Sequence, residues 1–372
     1  MIYLDYASTT PVEECIINKI SEELRDNFGN PSSKHYYGQK AKDAIEKARC
    51  EIALTIGALP EEIYFTSGAT ESNNLILKAF DCDCDLACSS IEHKSILEPI
   101  KNYNYDLLNV NNDCLVDLNY LEDLLNDKHL NLVSSIFINN ETGVISPIEE
   151  IFSLCKEYND NIITHTDATQ AFGKIPIDVK EMNIDSLSLS GHKIYSLKGC
   201  GALYLSNEID KSDLNSFIEG GSQENGLRSG TQNVIGIIAL GEAARIAREK
   251  MNSDWQKAMW LEDILYSDLS LIDCIHFNGC LENKCPWILN VSFEGCKNNE
   301  IISAISDEFA LSKSSACASE EDKASHVLEA MGLEPELCLG AIRISWGRQT
   351  TESQIRKLGA RLRALVDEFK NY

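Results

Sequence analysis

The stretch IDSLSLSGHKIYSLKGCGALYL, residues 184–205, fixes the architecture. Its alternation, Ser-Leu-Ser-Leu-Ser, has the period of two that a β-strand imposes and predicts a strand with one buried face. The run stops at Gly191, a charged pair, His192-Lys193, follows at once, and the apolar GALYL resumes a strand. A glycine there lets the backbone pass close to a ligand, and the end of a buried strand is where an α/β sheet presents its binding groups.

Working outward, strand and helix signals alternate through the first two-thirds of the chain. AKDAIEKARCEIALTIG carries Ala41, Ala44, Ile45, Ala48, Ile52 and Ala53 at helical spacing, with Gly57 as its C-cap. EIYFTSG reads as a short strand and ATESNNLILKAF as the helix after it, while LVSSIFINN, NIITHTDA and GALYL read as further buried strands. The alternation predicts an α/β fold with a mostly parallel sheet and helices on both faces. The long helix in TQNVIGIIALGEAARIAREKM is expected to carry the chain out of this unit. WILNVSFEG, NNEIISAISDEF, the loop ALSKSSACASEEDKASH, VLEAMG, AIRISWG and a closing amphipathic segment follow, as in an α+β domain. The expected division is a large domain over 15–250 and a small one made of 1–14 plus 251–372.

Composition bounds the function. With 372 residues, 44% hydrophobic and 24% charged, the chain has the makings of a large core. The N-terminal MIYLDYASTTP lacks a basic flank and an apolar stretch, and NVIGIIALGEAA is too short and glycine-broken to span a bilayer, so a cytoplasmic protein away from membranes is expected. A net charge of −25 opposes direct binding of nucleic acid. The fourteen cysteines are scattered without one Cys-x-x-Cys pair, which argues against a zinc or cluster scaffold and for free thiols in a reducing compartment, with no metal site.

Two loops can be read for chemistry on their own. In YFTSGATESNN, a strand runs into Ser67-Gly68-Ala69-Thr70 and a helix, gathering backbone N–H groups and a helix dipole where a phosphate could sit; the same residues also suit a plain cap. In THTDATQAFG, Asp167 ends an apolar strand, where a carboxylate is costly unless it meets a cation. A structural salt bridge would satisfy it. With Lys193 at another strand end, the pair also fits pyridoxal phosphate, the lysine forming the Schiff base and the aspartate holding the pyridinium proton.

SGHKIY together with HTDATQ, TSGATESNN, EHKSI, NNETG, GSQENGLRSGT, SSACAS and LDYASTTP resembles the cysteine desulfurases. These are pyridoxal-phosphate enzymes of the class V aminotransferase group with fold type I, and the resemblance runs from Leu4 to about Thr351. It implies that Lys193 carries the cofactor and moves the substrate's Cα proton, that Asp167 faces the ring nitrogen, and that His93 stacks on the ring and shuttles protons. It further implies that Asn140 and Gln170 bond the ring oxygen or tune its electronics. Ala69, Thr70, Ser190 and His192, with Gly191 between them, would form the phosphate cradle. Thr231 would contact the phosphate of a neighbouring subunit, making a homodimer with shared sites. Arg343 would pair with the substrate carboxylate, to which its planar fork is suited, and Asn30 would also touch substrate. Cys317 matches the nucleophile, on what its neighbours describe as a mobile exposed loop, with Lys313 placed to help lower its pKa. The chain departs from many relatives at Ser196-Leu197, where they read Gly-Pro, and at Ser312-Lys313, where they read Ser-Gly.

The implied activity is conversion of L-cysteine to L-alanine, with a persulfide formed on Cys317 and passed to a sulfur-acceptor protein in iron–sulfur or thiolation pathways. The rivals are a selenocysteine lyase or other β-lyase on the same fold, a metal scaffold, and a catalytically dead partner. The motifs do not name the acceptor.

Overall fold

The computed structural model describes residues 1–209, 218–313 and 324–370, and the quoted stretch lies in the middle of its seven-stranded sheet. In chain order the strands are β1 (Ile2–Tyr3), β2 (Ile63–Thr66), β3 (Asp85–Ser89), β4 (Asn104–Leu108), β5 (Leu132–Ser134), β6 (Ile163–Asp167) and β7 (Ser186–Ser190). They continue as β8 (Gly201–Leu205), β9 (Ile275–Phe277), β10 (Ile288–Phe293), β11 (Phe309–Ala310), β12 (Ser312–Lys313) and β13 (Ala341–Ser345). The large sheet has the order β2-β8-β7-β6-β5-β3-β4. All its pairings are parallel except those of β8, which runs against both β7 and β2. The alternating helices make the crossovers that parallel pairing requires.

The expectation of one buried face for Ser186–Ser190 is corrected: all five residues are buried. A central strand of a parallel sheet is covered on both faces, and the helix Ala69–Leu77 lies against β7. Ser186 finds a partner inside the protein, its Oγ lying 3.0 Å from His165 Nδ1, whereas the buried Ser188 Oγ has none among the described residues. The LVSSIFINN strand is also shorter than expected, with β5 confined to Leu132–Ser134. The chain beyond still reaches β6, through Ser135 N to His165 O at 3.0 Å and Phe137 N to Asp167 O at 3.1 Å.

The helix Tyr36–Ile56 ends as expected at Gly57, whose φ of 70° only glycine adopts readily. A long helix, Val234–Leu269, packs on it and on the closing helix Glu352–Lys370. The C-terminal part holds an antiparallel sheet in the order β12-β13-β10-β9. The N-terminus joins this part, because β1 pairs parallel with β11 and Asp5 bridges Ser345. Residues 4–10 thereby lie between the two sheets, where their carbonyls meet the site. No helix of the described residues is long and apolar enough to cross a membrane. Among the described residues no three His, Cys, Asp or Glu side chains are grouped to hold a metal ion, and the thirteen described cysteines form no disulfide.

Candidate active site

Strands β2, β3, β5, β6 and β7 run the same way, so their C-terminal ends share one edge. That edge borders a cavity of about 700 Å³. After β7 the chain makes a single tight turn, Gly191–Lys193, pinned by Gly191 N to Cys200 O at 2.9 Å. The turn aims Lys193 at the N-terminal segment, where Nζ donates to the Ala7 carbonyl at 2.5 Å and the Ser8 carbonyl at 2.8 Å. Burial pushes its pKa down to about 7, helped by the positive charges of Arg343 and Lys174 and opposed by Asp167 and Asp5. Near neutrality a substantial fraction of the amine, about half at pH 7, is therefore uncharged, the form a nucleophile or proton acceptor must take. His192 beside it is held neutral, its pKa lowered to about 4 by burial and by Lys193 and Lys198. Its Nδ1 lies 3.2 Å from Thr9 Oγ1.

Asp167 ends β6 and is only 3% exposed. Among the described residues no cation forms an ion pair with it: Asn73 Nδ2 donates to one oxygen at 2.8 Å and the Thr169 N–H to the other at 2.9 Å. The same Asn73 donates to Ser95 Oγ at 2.8 Å and contacts His165 Nε2 at 3.1 Å. Ser95 Oγ in turn sits 2.8 Å from His93 Nδ1, which also accepts the Ser95 N–H at 3.1 Å. Nδ1 is thus occupied and Nε2 is the nitrogen left for the cavity, which His93 lines. Burial lowers the His93 pKa, with Asp167 opposing and Lys193 adding. Behind it Glu92 is fully buried, with Oε1 accepting from Ser134 Oγ at 2.8 Å and Oε2 unpartnered. Burial, then the charge of Asp167, raises its pKa to about 8, so it is protonated at neutral pH.

At the other end of the cavity, β2 runs through Ser67 and Gly68 into the helix Ala69–Leu77. The first N–H groups of a helix lack intrahelical acceptors and carry its positive dipole end. Glu71 also lines this corner, with its charge paired: Arg228 Nε donates to its Oε1 at 2.7 Å, and its Oε2 accepts the Ser67 N–H at 2.9 Å. β8 passes directly beneath: a Cβ on Gly201 would come within 2.6 Å of Gly68 Cα. Ser190 closes this corner with Lys198 and Gly199.

Across the cavity Arg343, in β13, is 1% exposed. Its Nη2 donates to Asp5 Oδ1 at 2.9 Å and Ser8 Oγ at 2.6 Å, and Nη1 donates to the Asn140 carbonyl at 2.9 Å. Nε is buried and unpartnered, so the guanidinium retains donor capacity for an anion. Gln170 lies between, its Nε2 donating to the Ala7 carbonyl at 2.8 Å.

Of the residues expected from the sequence, His93, Ala69, Thr70, Asn140, Asp167, Gln170, Ser190, His192, Lys193 and Arg343 all line this one cavity, and Gly191, without lining it, opens the turn that carries His192 and Lys193. Two do not join them. Asn30 is exposed, its Oδ1 accepting the Ser32 N–H at 3.0 Å, and Thr231 is exposed; neither lines the cavity. Cys317 lies outside the described residues, although Ser312, five positions before it, lines the cavity. Sequence reasoning missed Asp5 and Ser8, which orient Arg343, as well as Asn73, Ser95 and Glu92. The signal for the first two was in LDYASTTP, a motif quoted without a role for any of its residues.

The arrangement fits pyridoxal phosphate. Lys193 supplies an amine free near neutral pH for the aldehyde, Asp167 a buried carboxylate without a cation for the ring nitrogen, and the start of the helix Ala69–Leu77 unpaired donors for the phosphate.

The family model described as Aminotransferase class-V matches residues 2–358. The cysteine desulfurase IscS of Neisseria meningitidis serogroup C is 38% identical over 99% of this chain and 93% of that protein. The crystal structure of a NifS-like protein from Rickettsia africae is 33% identical, with a TM-score of 0.90 over 99% of each chain. A structure of SspA in complex with cysteine is 34% identical, with a TM-score of 0.81, covering 94% of this chain and 100% of that one.

Proposed function

The chain belongs to the class V aminotransferase family and is a pyridoxal-phosphate-dependent cysteine desulfurase; on that premise we propose that the residues of this cavity convert L-cysteine to L-alanine while the thiol of Cys317 receives the sulfur. The balance is one L-cysteine and one protein thiol giving one L-alanine and one protein persulfide, which then passes to a sulfur-acceptor protein. The observation that carries this reading is the convergence of Lys193, Asp167 and Arg343 on one cavity. A relative solved with cysteine supports the substrate.

When bound, pyridoxal phosphate supplies an electron sink that makes the Cα proton acidic and activates the sulfur for transfer. The residues do the rest. Ser190, His192, Thr70 and the Ala69 end of its helix hold the phosphate, while Asp167, fixed by Asn73 and Thr169, keeps the proton on the ring nitrogen. Gln170 and Asn140 address the ring oxygen. Arg343 takes the substrate carboxylate, its fork held by Asp5 and Ser8. Lys193, as a free amine, accepts the Cα proton, and His93 through Nε2 returns protons to the leaving side. Cys317 as thiolate attacks the substrate sulfur.

The same proposal includes a homodimer whose Thr231 and Asn30 serve the neighbouring site. Both are exposed on this chain, and around Asn30 Phe28, Tyr36 and Tyr37 leave 67%, 73% and 48% of their surface open, an apolar patch of the kind that marks an interface. It includes the division into 15–250 and 1–14 plus 251–372, supported by the pairing of β1 with β11. It places the enzyme in the cytoplasm, where free thiols such as the thirteen described here persist.

Cys317→Ala is the test. The variant is expected to fold, bind cofactor and take L-cysteine into the cavity, since Lys193, Asp167 and Arg343 are untouched. It should form no protein persulfide by mass spectrometry and release alanine only at background rate. Alanine release at the parent rate would overturn the role of Cys317.

A further inference from the structure

Lys174 is a second lysine behind the first. It lies in the loop after β6 and, among the described residues, the one hydrogen-bond partner of its side chain is Gln170 Oε1, at 2.8 Å. Gln170 Nε2 then donates to the Ala7 carbonyl at 2.8 Å, and that carbonyl also accepts from Lys193 Nζ at 2.5 Å. Two lysines are thus joined through one amide and one carbonyl. Both also line a cavity of about 20 Å³ on the far side of Lys193.

Among the described residues no carboxylate pairs with Lys174. Asp254 lines the same small cavity, but its Oδ2 is taken by Arg348 Nε at 2.5 Å, and Glu13 is engaged by Arg348 Nη1 at 2.6 Å. The phenol of Tyr195 accepts the Arg348 N–H at 2.9 Å and its pKa lies far above neutrality, so it brings no charge. The remaining group facing Lys174 is the buried thiol of Cys285, which burial pushes up to about 11, leaving it neutral. A mostly buried amine without a counter-ion among the described residues is costly to keep charged, and burial lowers the pKa of Lys174 as well.

We propose that Lys174 is a positioning residue for the cofactor site: as a donor it fixes the Gln170 amide so that N–H groups, not the oxygen, face Ala7 and the cavity, and as a like charge it disfavours the charged form of Lys193. The geometry enforces the first part. A lysine can only donate and a carbonyl can only accept, so both ends of the amide select the same orientation. Gln170 therefore offers the cavity a donor, which suits an anionic ring oxygen. The second part follows from Coulomb repulsion between two poorly solvated amines. Other charges act on Lys193 as well: Arg343 pushes in the same direction as Lys174, and Asp167 and Asp5 oppose. His192 and His93 have lowered pKa values and add little positive charge at neutral pH.

The inference rests on the reading of Lys193 as the cofactor lysine, and its test keeps the two apart. Cofactor-free protein is trace-labelled with acetic anhydride across a pH series, and acetylation of Lys193 is read by mass spectrometry. In Lys174→Met the labelling midpoint is expected to rise by about one pH unit, a roughly tenfold loss of free Lys193 amine below the midpoint. Lys174→Arg, which keeps a charged donor, is expected to restore most of the shift. If Lys174→Met does not fold, Lys174→Gln is read by the same criterion. A midpoint unmoved by loss of the charge, or an arginine variant no better than methionine, overturns the proposal. The reading of Lys193 itself fails separately, if borohydride-reduced holoenzyme carries the cofactor on another residue.

Discussion

At Lys193 the surroundings decide the protonation state. Burial and two nearby cations bring its pKa from the ordinary lysine range to about 7, and the sign of the consequence is fixed. Below that pH the amine is an ammonium that cannot attack an aldehyde; above it the free amine predominates. The rate at which cofactor-free protein takes up pyridoxal phosphate should therefore climb as pH rises through about 7 and level off above roughly 8, followed by the gain of visible absorbance. A rate still climbing tenfold per unit at pH 9 would mean an ordinary lysine. Asp167 answers to a different test. Among the described residues it meets two neutral donors and no ion-pair partner, which leaves it available to what the cavity binds. Asp167→Ala should keep the fold yet lose on the order of 10²-fold or more in turnover, as when other preorganised electrostatic contacts are removed. Unchanged kinetics would make it a structural carboxylate.

Among the elements, the crossing of β8 under the phosphate corner leaves no room for a Cβ. A Cβ at Gly201 would lie 2.5 Å from the Leu189 carbonyl oxygen and 2.6 Å from Gly68 Cα, backbone atoms that cannot rotate away. Gly201→Ala should cost roughly 1–3 kcal/mol of stability, as overpacking does, and because Gly68 must move it should also weaken cofactor binding. Thermal unfolding and cofactor titration check both; a loss of stability with unaltered affinity would detach β8 from the corner above it. How far the sequence spoke at this scale follows from what each signal encodes. Helical spacing and apolar runs report burial along one element, so the helix to Gly57, β2, β6 and β8 were all legible. The serines of β7 misled because alternation records polarity, while the tertiary fold decides whether a second layer covers the polar side. The direction of β8 was not legible either, since apolar runs look alike in parallel and antiparallel strands. Lys193 and Asp167 were readable because each sits at a strand end. The Asp5–Arg343 pair spans 338 positions, and no local pattern carries such a contact. Lys174 and the buried Glu92 carry no local signal either, because the tertiary fold alone sets their surroundings.

At the scale of the whole molecule the question is whether one chain makes a complete site. Ten of the residues assigned to the cavity reach it within this chain, whereas Thr231 stays exposed at the start of the helix Val234–Leu269, away from the phosphate corner of its own subunit. Its segment is nevertheless tied to that corner, because Arg228 holds Glu71 beside Thr70, and Gln232 Nε2 donates to the buried Glu224 at 3.0 Å. A rigidly mounted, exposed hydroxyl is suited to reach a neighbour's phosphate across a two-fold interface. Mixed dimers separate this from a self-contained site. Pairing Thr231→Ala subunits with Lys193→Ala subunits puts both defects in one site, that of the Lys193→Ala subunit, and leaves the other site whole. Such dimers should then show up to half the parent activity per dimer, well above Lys193→Ala homodimers and above Thr231→Ala homodimers if that contact matters to turnover. If each subunit supplied its own threonine, the mixed dimer would contain one dead site and one weakened site, and would never exceed half the activity of the Thr231→Ala homodimer. Subunit exchange confirmed by native mass spectrometry makes the two outcomes distinct.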